Sequence, residues 1–253
     1  MKTFRYSKFK TFQGRGGPTV EVPKEQKTRT RSGRYVVGVI AKHRSSSRWA
    51  WSTVLWGTPV REEKGVVQIQ ENGRWINLSS KPGFKGVKES DILNSIIEYY
   101  QSFKADLGPA LTPAEKAQRI PKTWIFNDFG HLSIKYFRDT NRNYRRDKGE
   151  SFISDFIHTV PKEEYFNSFG KTLPLEDSHG CIHVHPNDID TIIAYIKIGS
   201  VIQIHPYTET TVPAGFDSKE GRPPYELHFF PFIDVKSGAS AGNLILYKVK
   251  AVE

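Results

Sequence analysis

Residues 178–204 read SHGCIHVHPNDIDTIIAYIKIGSVIQI, and three backbone signals follow one another along them. Gly180 stands directly before Cys181, the one cysteine of the chain, so the backbone can turn tightly ahead of a thiol. Pro186 then opens a helical pattern in which Ile189, Ile192, Ile193 and Ile196 recur at helical spacing. His185 falls at its N-cap, and Asp188 and Asp190 lie in the first turn, where the helix dipole favours acids. Gly199 closes the helix, and VIQIH resumes as a strand.

Upstream of this stretch the pattern is mostly of strands. YVVGVIAK (35–42), WAWSTVLW (49–56), GVVQIQ (65–70) and RWINL (74–78) read as a meander, with the Asn72-Gly73 pair as a two-residue hairpin signal between the last two. Ile92, Ile96, Tyr100 and Phe103 predict a helix over 90–104 with Ser90 or Asp91 as N-cap. Thr112-Pro113-Ala114-Glu115 has capping-box spacing and begins a short second helix. KTWIF (122–126), HLSIKYF (131–137) and FISDFIHT (152–159) read as strands, as do LHFFPFIDV (227–235) and NLILYKVKAV (243–252) downstream. The expectation is a mainly β fold, a sandwich or irregular barrel, with one helix after the cysteine turn and a few peripheral helices. Residues 1–33, basic and rich in Gly, Thr and Pro, read as a weakly ordered arm, 34–206 as the main domain, and 207–253 as a β extension packed on that domain.

A chain of 253 residues can bury a sizeable core, and an aromatic content of 13% favours strands and ring-lined grooves, with Trp49, Trp51, Trp56 and Trp124 available either for a groove or for plain packing. One cysteine excludes a disulfide within the chain. The net charge of +10 favours a polyanionic neighbour: nucleic acid, an anionic membrane surface, or a cell wall carrying carboxylates and phosphates. Arg29, Arg31, Arg34, Lys42, Arg44 and Arg48 could hold phosphates, but no nucleic-acid-binding motif accompanies them, so a solvated basic face is the preferred reading and no nucleic-acid partner is expected. The N-terminal MKTFRYSKFKTFQGRGG lacks an apolar run of signal-peptide length and no segment approaches a membrane span. Integral membrane association is therefore not expected, and export depends on a removed segment or another route, unless the protein stays inside.

A lone cysteine is most often a small buried hydrophobe. Cys181 becomes a nucleophile only if an imidazole or dipole activates it, and His158, at the end of a predicted strand, can supply the imidazole. The N–H groups of Gly180 and Cys181 could then face a developing oxyanion. The rival reading is zinc: His179, Cys181, His183 and His185 alternate, although the Gly180 turn and the helix at Pro186 break a regular strand, so no metal and no cofactor is expected. Asp139, Asn141, Asn143, Asp147 and Glu150 match calcium-loop positions, but Tyr144 occupies the place that wants glycine, so an Asx-rich hairpin loop is the better reading.

SHGCIH, a His-Thr at a strand end upstream, and PNDIDTIIAYIKIGSVIQI downstream resemble the L,D-transpeptidase (YkuD-like) catalytic domain, convincingly over about residues 155 to 205 and loosely from Tyr35 onward. The resemblance implies Cys181 as nucleophile, His158 as general base, Thr159 as the neighbour that orients the histidine, and His179 and Gly180 as shapers of the turn. Ser178 and His183 fall on the substrate side. His183 stands where the family usually has Asn or Arg, and the spacer between His158 and Ser178 is slightly long. The implied substrate is the stem tetrapeptide of peptidoglycan, attacked at its third residue to leave a Cys181 thioester. Cross-linking, carboxypeptidase action or D-amino-acid exchange would follow, in the periplasm or cell envelope. A delivered antibacterial effector with the same chemistry, paired with an immunity protein, and an inactive wall-binding module are the alternatives.

Overall fold

The computed structural model describes residues 2–46, 48–209, 211–233 and 240–252. In chain order its strands are β1 (Thr3–Gly14), β2 (Gly33–Ala41), β3 (Val60–Glu63), β4 (Val66–Glu71), β5 (Arg74–Asn77), β6 (Ser133–Phe137), β7 (Ile157–His158), β8 (Ile182–His183), β9 (Val201–Ile204), β10 (Gly215–Ser218), β11 (Tyr225–Ile233) and β12 (Ser240–Val252). The helices are α1 (Glu89–Leu107), α2 (Pro113–Ala117), α3 (Pro161–Asn167) and α4 (Pro186–Tyr195). They divide between two compact units, one of Met1–Ala41, Ser133–His158 and Pro174–Glu253, the other of Lys42–Leu132 and Thr159–Leu173.

The first unit is built on a mixed nine-stranded sheet in the order β10-β1-β12-β11-β9-β2-β6-β7-β8. Its middle is covered on both faces: Leu244, Ile245, Leu246 and Tyr247 follow one another in β12 and all are fully buried, the unbroken apolar run of a strand with no wet side. Beyond β1, Arg15 exchanges two backbone hydrogen bonds with His183 of β8, at 2.9 and 2.8 Å. The sheet therefore returns on itself through this bridge, which satisfies backbone groups that an open edge would expose. Of the two expected arrangements this favours the irregular barrel. In α4, Ile189 and Ile192 are fully buried and Pro186 takes the first helical position after His185, as the sequence pattern predicts.

The second unit packs the β3-β4-β5 meander with α1, whose Ile92, Leu93, Ile96, Tyr100, Phe103 and Leu107 join Trp124 and Phe126 in one core. Asn72 and Gly73 have φ of 51° and 77°, the left-handed pair that a tight hairpin requires. Thr112 and Glu115 cap α2 reciprocally, a device that contributes ~1 kcal/mol.

Five expectations change. Residues 1–33 are not a loose arm: Tyr6 and Phe12 of β1 are buried and β1 pairs along its whole length with β12, because alternating apolar side chains outweigh the basic ones between them. WAWSTVLW is not a strand. Trp51–Thr53 form a helical turn that lets Trp51 stack on Trp124 at 5.7 Å, and Trp124 Nε1 donates to the Trp51 carbonyl at 2.8 Å. KTWIF bonds to residues 57–60 without a regular ladder, and only Ile157–His158 of FISDFIHT is strand. N-capping of α1 falls to Lys88 rather than Ser90 or Asp91. Asp234 and Val235, the end of a predicted strand, lie outside the described residues.

Candidate active site

The turn before Cys181 is held from both sides. Gly180 has φ +111°, and a Cβ there would lie 2.9 Å from Thr28 Oγ1 and 3.2 Å from Asp155 Oδ1, so both conformation and space demand glycine. Ser178 Oγ accepts from the Gly180 N–H at 3.1 Å and donates to the Cys181 carbonyl. The Ser178 N–H bonds the Gly16 carbonyl at 3.1 Å, and the Thr28 hydroxyl donates to the His179 carbonyl at 3.1 Å. Residues 15–31 thus form a strap along the turn, tied down by Tyr207, whose hydroxyl donates to the Gly17 carbonyl at 2.6 Å and accepts from the Thr30 N–H at 3.2 Å.

These bonds revise two expectations. Gly180's N–H, expected to face an oxyanion, is spent on Ser178. Ser178, expected on the substrate side, is fully buried and uses its hydroxyl to shape the turn. His179 has an exposed ring; it is its carbonyl that the strap grips.

The Phe156 N–H points at Cys181 Sγ at 3.3 Å, and the thiol faces the Ser154 carbonyl at 3.8 Å. Burial, more than any neighbouring charge, pushes the Cys181 thiol up to about 12; the Phe156 N–H and the Arg31 guanidinium work against that, and Asp155 adds to it. At neutral pH the sulfur therefore carries its proton, and a base must remove it as the sulfur attacks.

β7 and β8 are parallel, with His158 opposite His183. Cys181 lies in the bend directly ahead of β8, two residues before His183. His158 is buried, and its ring stands edge-on to that of His183, with centroids 4.9 Å apart. His183 Nδ1 meets the Glu176 carbonyl at 2.9 Å. A carbonyl only accepts, so this nitrogen carries a hydrogen, and burial lowers the ring to about 4. His183 is a neutral donor-acceptor at physiological pH.

Two charged groups beside the sulfur were missed as site residues. Asp155, buried, takes Arg31 as a fork: Nε to Oδ2 at 2.9 Å and Nη2 to Oδ1 at 2.7 Å, with Nη2 also donating to Ser154 Oγ at 2.6 Å. No motif marks either one. Their signal lies in position, since Asp155 sits in the strand run that ends at His158 and Arg31 in a segment that composition alone made look loose.

The remaining candidates fall elsewhere. The Thr159 hydroxyl donates to the Glu164 carboxylate, which also holds His131. His185 sits at the N-cap without capping and reaches Gln13 at 3.3 Å. Trp51 and Trp124 belong to the core of the second unit. The basic cluster separates into individual pairs: Arg31 with Asp155, Arg34 with the buried Glu226 at 2.7 Å, Arg44 with Glu71, and Lys42 with the Trp56 carbonyl. In the loop 139–150, Asp147 Oδ2 accepts from Asn141 and Asn143 at 2.7 and 2.6 Å, while Glu150 accepts from the N–H groups of Thr140 and Asp147. These side chains close the loop on itself. Among the described residues no group of three or more His, Cys, Asp or Glu is arranged to hold a metal ion, and no helix is long and apolar enough to cross a membrane.

Neither the curated proteins nor the solved structures searched gave a match to this chain. The sequence profile of one family does match, described as the L,D-transpeptidase catalytic domain, YkuD, over residues 7–204. That span takes in β1 from Ser7 onward, the strap, the Gly180 turn and α4, far more than the segment in which the likeness is visible by eye. The chain belongs to the L,D-transpeptidase catalytic domain family, whose enzymes act on peptidoglycan.

Proposed function

We propose that this protein is a cysteine acyl-transferase acting on peptidoglycan stem tetrapeptides in the periplasm or cell envelope, with Cys181 as nucleophile and His158 as general base. The observation that carries the reading is the position of Cys181, held by the Gly180 turn directly ahead of β8, the strand that pairs with the one bearing His158. In the first half-reaction the thiol proton passes to His158 while sulfur bonds the carbonyl carbon of the third stem residue. The C–N bond to the terminal D-Ala then breaks, and its amine leaves with the proton from His158. The product is a thioester on Cys181.

The deprotonating step is the one the fold must assist, since burial opposes a free thiolate. A positioned base accelerates such a step by ~10²–10⁴-fold. The Phe156 N–H, already directed at the sulfur, stabilises the negative charge that accumulates there. In the second half-reaction the amine of a neighbouring stem gives a cross-link, a free D-amino acid gives exchange, and water gives carboxypeptidase action. Neutral His183, beside His158 and with Nδ1 fixed, orients that base rather than competing for its proton.

The test is to incubate the protein and a Cys181→Ala control with purified tetrapeptide muropeptides and to weigh the products. D-Ala release, with a dimer or a tripeptide, is expected only from the intact thiol. Folded, reduced protein that releases nothing would sink the proposal.

A further inference from the structure

The proposed substrate ends in a carboxylate, and the site needs something to receive it. His183 is neutral and has Nδ1 committed to a carbonyl. Lys135, opposite Phe156 by strand register, holds its ammonium over the Phe156 ring at 5.0 Å. Arg31 is placed differently. Its Nε and Nη2 are held by Asp155 and Ser154, its own N–H donates to Asp155 Oδ2 at 3.2 Å, and its carbonyl accepts from Tyr35 Oη at 3.1 Å. Backbone and side chain are thus both fixed, yet the side chain remains 53% exposed. Among the described residues its Nη1 has no hydrogen-bond partner. It is the cation whose field acts on Cys181.

We propose that Arg31 is the carboxylate-binding residue of this site: Asp155 and Ser154 hold the guanidinium so that Nη1 receives the C-terminal carboxylate of the peptide, the group that departs with D-Ala. This rests on the acyl-transfer reading for the identity of the peptide. A guanidinium pre-set by a buried carboxylate loses little freedom when it binds, and a charge-assisted hydrogen bond discriminates strongly against a neutral isostere. Specificity for an unamidated stem end follows. Selection would occur before chemistry, because the carboxylate is present in the bound ground state.

The experiment is calorimetric binding of two tetrapeptides, one with a free C-terminal carboxylate and one with a C-terminal amide, to Cys181→Ala protein, which cannot turn them over. With Arg31 present the acid is expected to bind roughly 10- to 100-fold more tightly than the amide. Arg31→Gln should bring the ratio close to unity, whereas Lys135→Gln should leave it in place. Should Arg31→Gln fold poorly with Asp155 unpaired, Arg31→Lys keeps a cation on that carboxylate but loses the fork, and the ratio should fall several-fold. A ratio that survives both Arg31 substitutions, or that is absent with Arg31 in place, overturns the proposal. D-Ala release by the Cys181-intact protein is scored separately. Acid-selective binding without turnover leaves Arg31 standing and removes the chemistry, and turnover without acid selectivity does the reverse.

Discussion

His158 and His183 face one another across β7 and β8 with ring centroids 4.9 Å apart, while His205 and His228, on β9's exit and on β11, stand 5.2 Å apart in the same sheet. The second pair is joined directly, Nε2 of His205 to Nδ1 of His228 at 3.0 Å, and carboxylates stand at both its ends: Glu226 against His228 at 3.2 Å and Glu209 against His205 at 2.7 Å. Arg34 in turn neutralises Glu226 through two bonds of 2.9 and 2.7 Å. On the first pair, His183 has a backbone carbonyl where His228 has a carboxylate. A carbonyl fixes a neutral tautomer and no more, whereas a carboxylate and its arginine turn an imidazole into part of a buried scaffold. Ring pairs at similar separation, one at 75° and one at 33° between planes, therefore differ in setting: one lies on β7 and β8 close to Cys181 in sequence, the other knits β2, β9 and β11.

Substitution at each pair should separate activity from stability. The largest effect is expected from Cys181→Ala, a loss on the order of 10⁴-fold or more in D-Ala release with the melting temperature little changed, measured by product mass and by calorimetry on one sample. Glu226→Gln should do the converse. It leaves the half-buried Arg34 with only Glu220, at 3.9 Å, as counter-charge, so chemical denaturation should report a loss of ~1–3 kcal/mol. Equal damage to turnover per folded molecule from Glu226→Gln would erase the distinction between the pairs.

The His183 ring supplies a smaller effect with a definite sign. Its folded value of about 4 lies below the ordinary 6.5, so above pH 6.5 neither state binds the proton, and between 6.5 and 4 only the unfolded chain does. Stability should fall as pH drops through that window, by at most ~3 kcal/mol, and level off below it. His183→Asn should flatten this leg in a pH series of denaturant midpoints; an unchanged leg would show that the ring is not held neutral. The smallest effect belongs to neither pair: Thr112→Ala removes the cap of α2, and should cost ~1 kcal/mol without altering D-Ala release.

The turn before Cys181 was legible because its requirements are local. Gly180 must adopt a conformation that other residues avoid, Cys181 follows it, and the isoleucines of α4 repeat at one spacing, so all three leave marks within a few residues. The strap and the Arg31–Asp155 pair left none, because their meaning depends on partners far along the chain: Thr28 serves the His179 carbonyl and Tyr207 serves Gly17. A basic, glycine-containing segment looks loose until the strand before it is seen pairing with β12. Trp51 and Trp124 misled for the opposite reason, since their spacing resembles a strand while a ring stack and an indole hydrogen bond dictate a turn. The Glu226–His228–His205 chain, drawn from β11 and the end of β9, has no sequence signature.

Rapid acid quenching of the protein with tetrapeptide, followed by mass analysis of the peptide that contains Cys181, tests the central claim most directly. The account predicts an adduct on Cys181 equal to the acyl part of the stem after loss of D-Ala, labile to hydroxylamine as a thioester is. D-Ala release with no such adduct, or release that persists in Cys181→Ala, would contradict it.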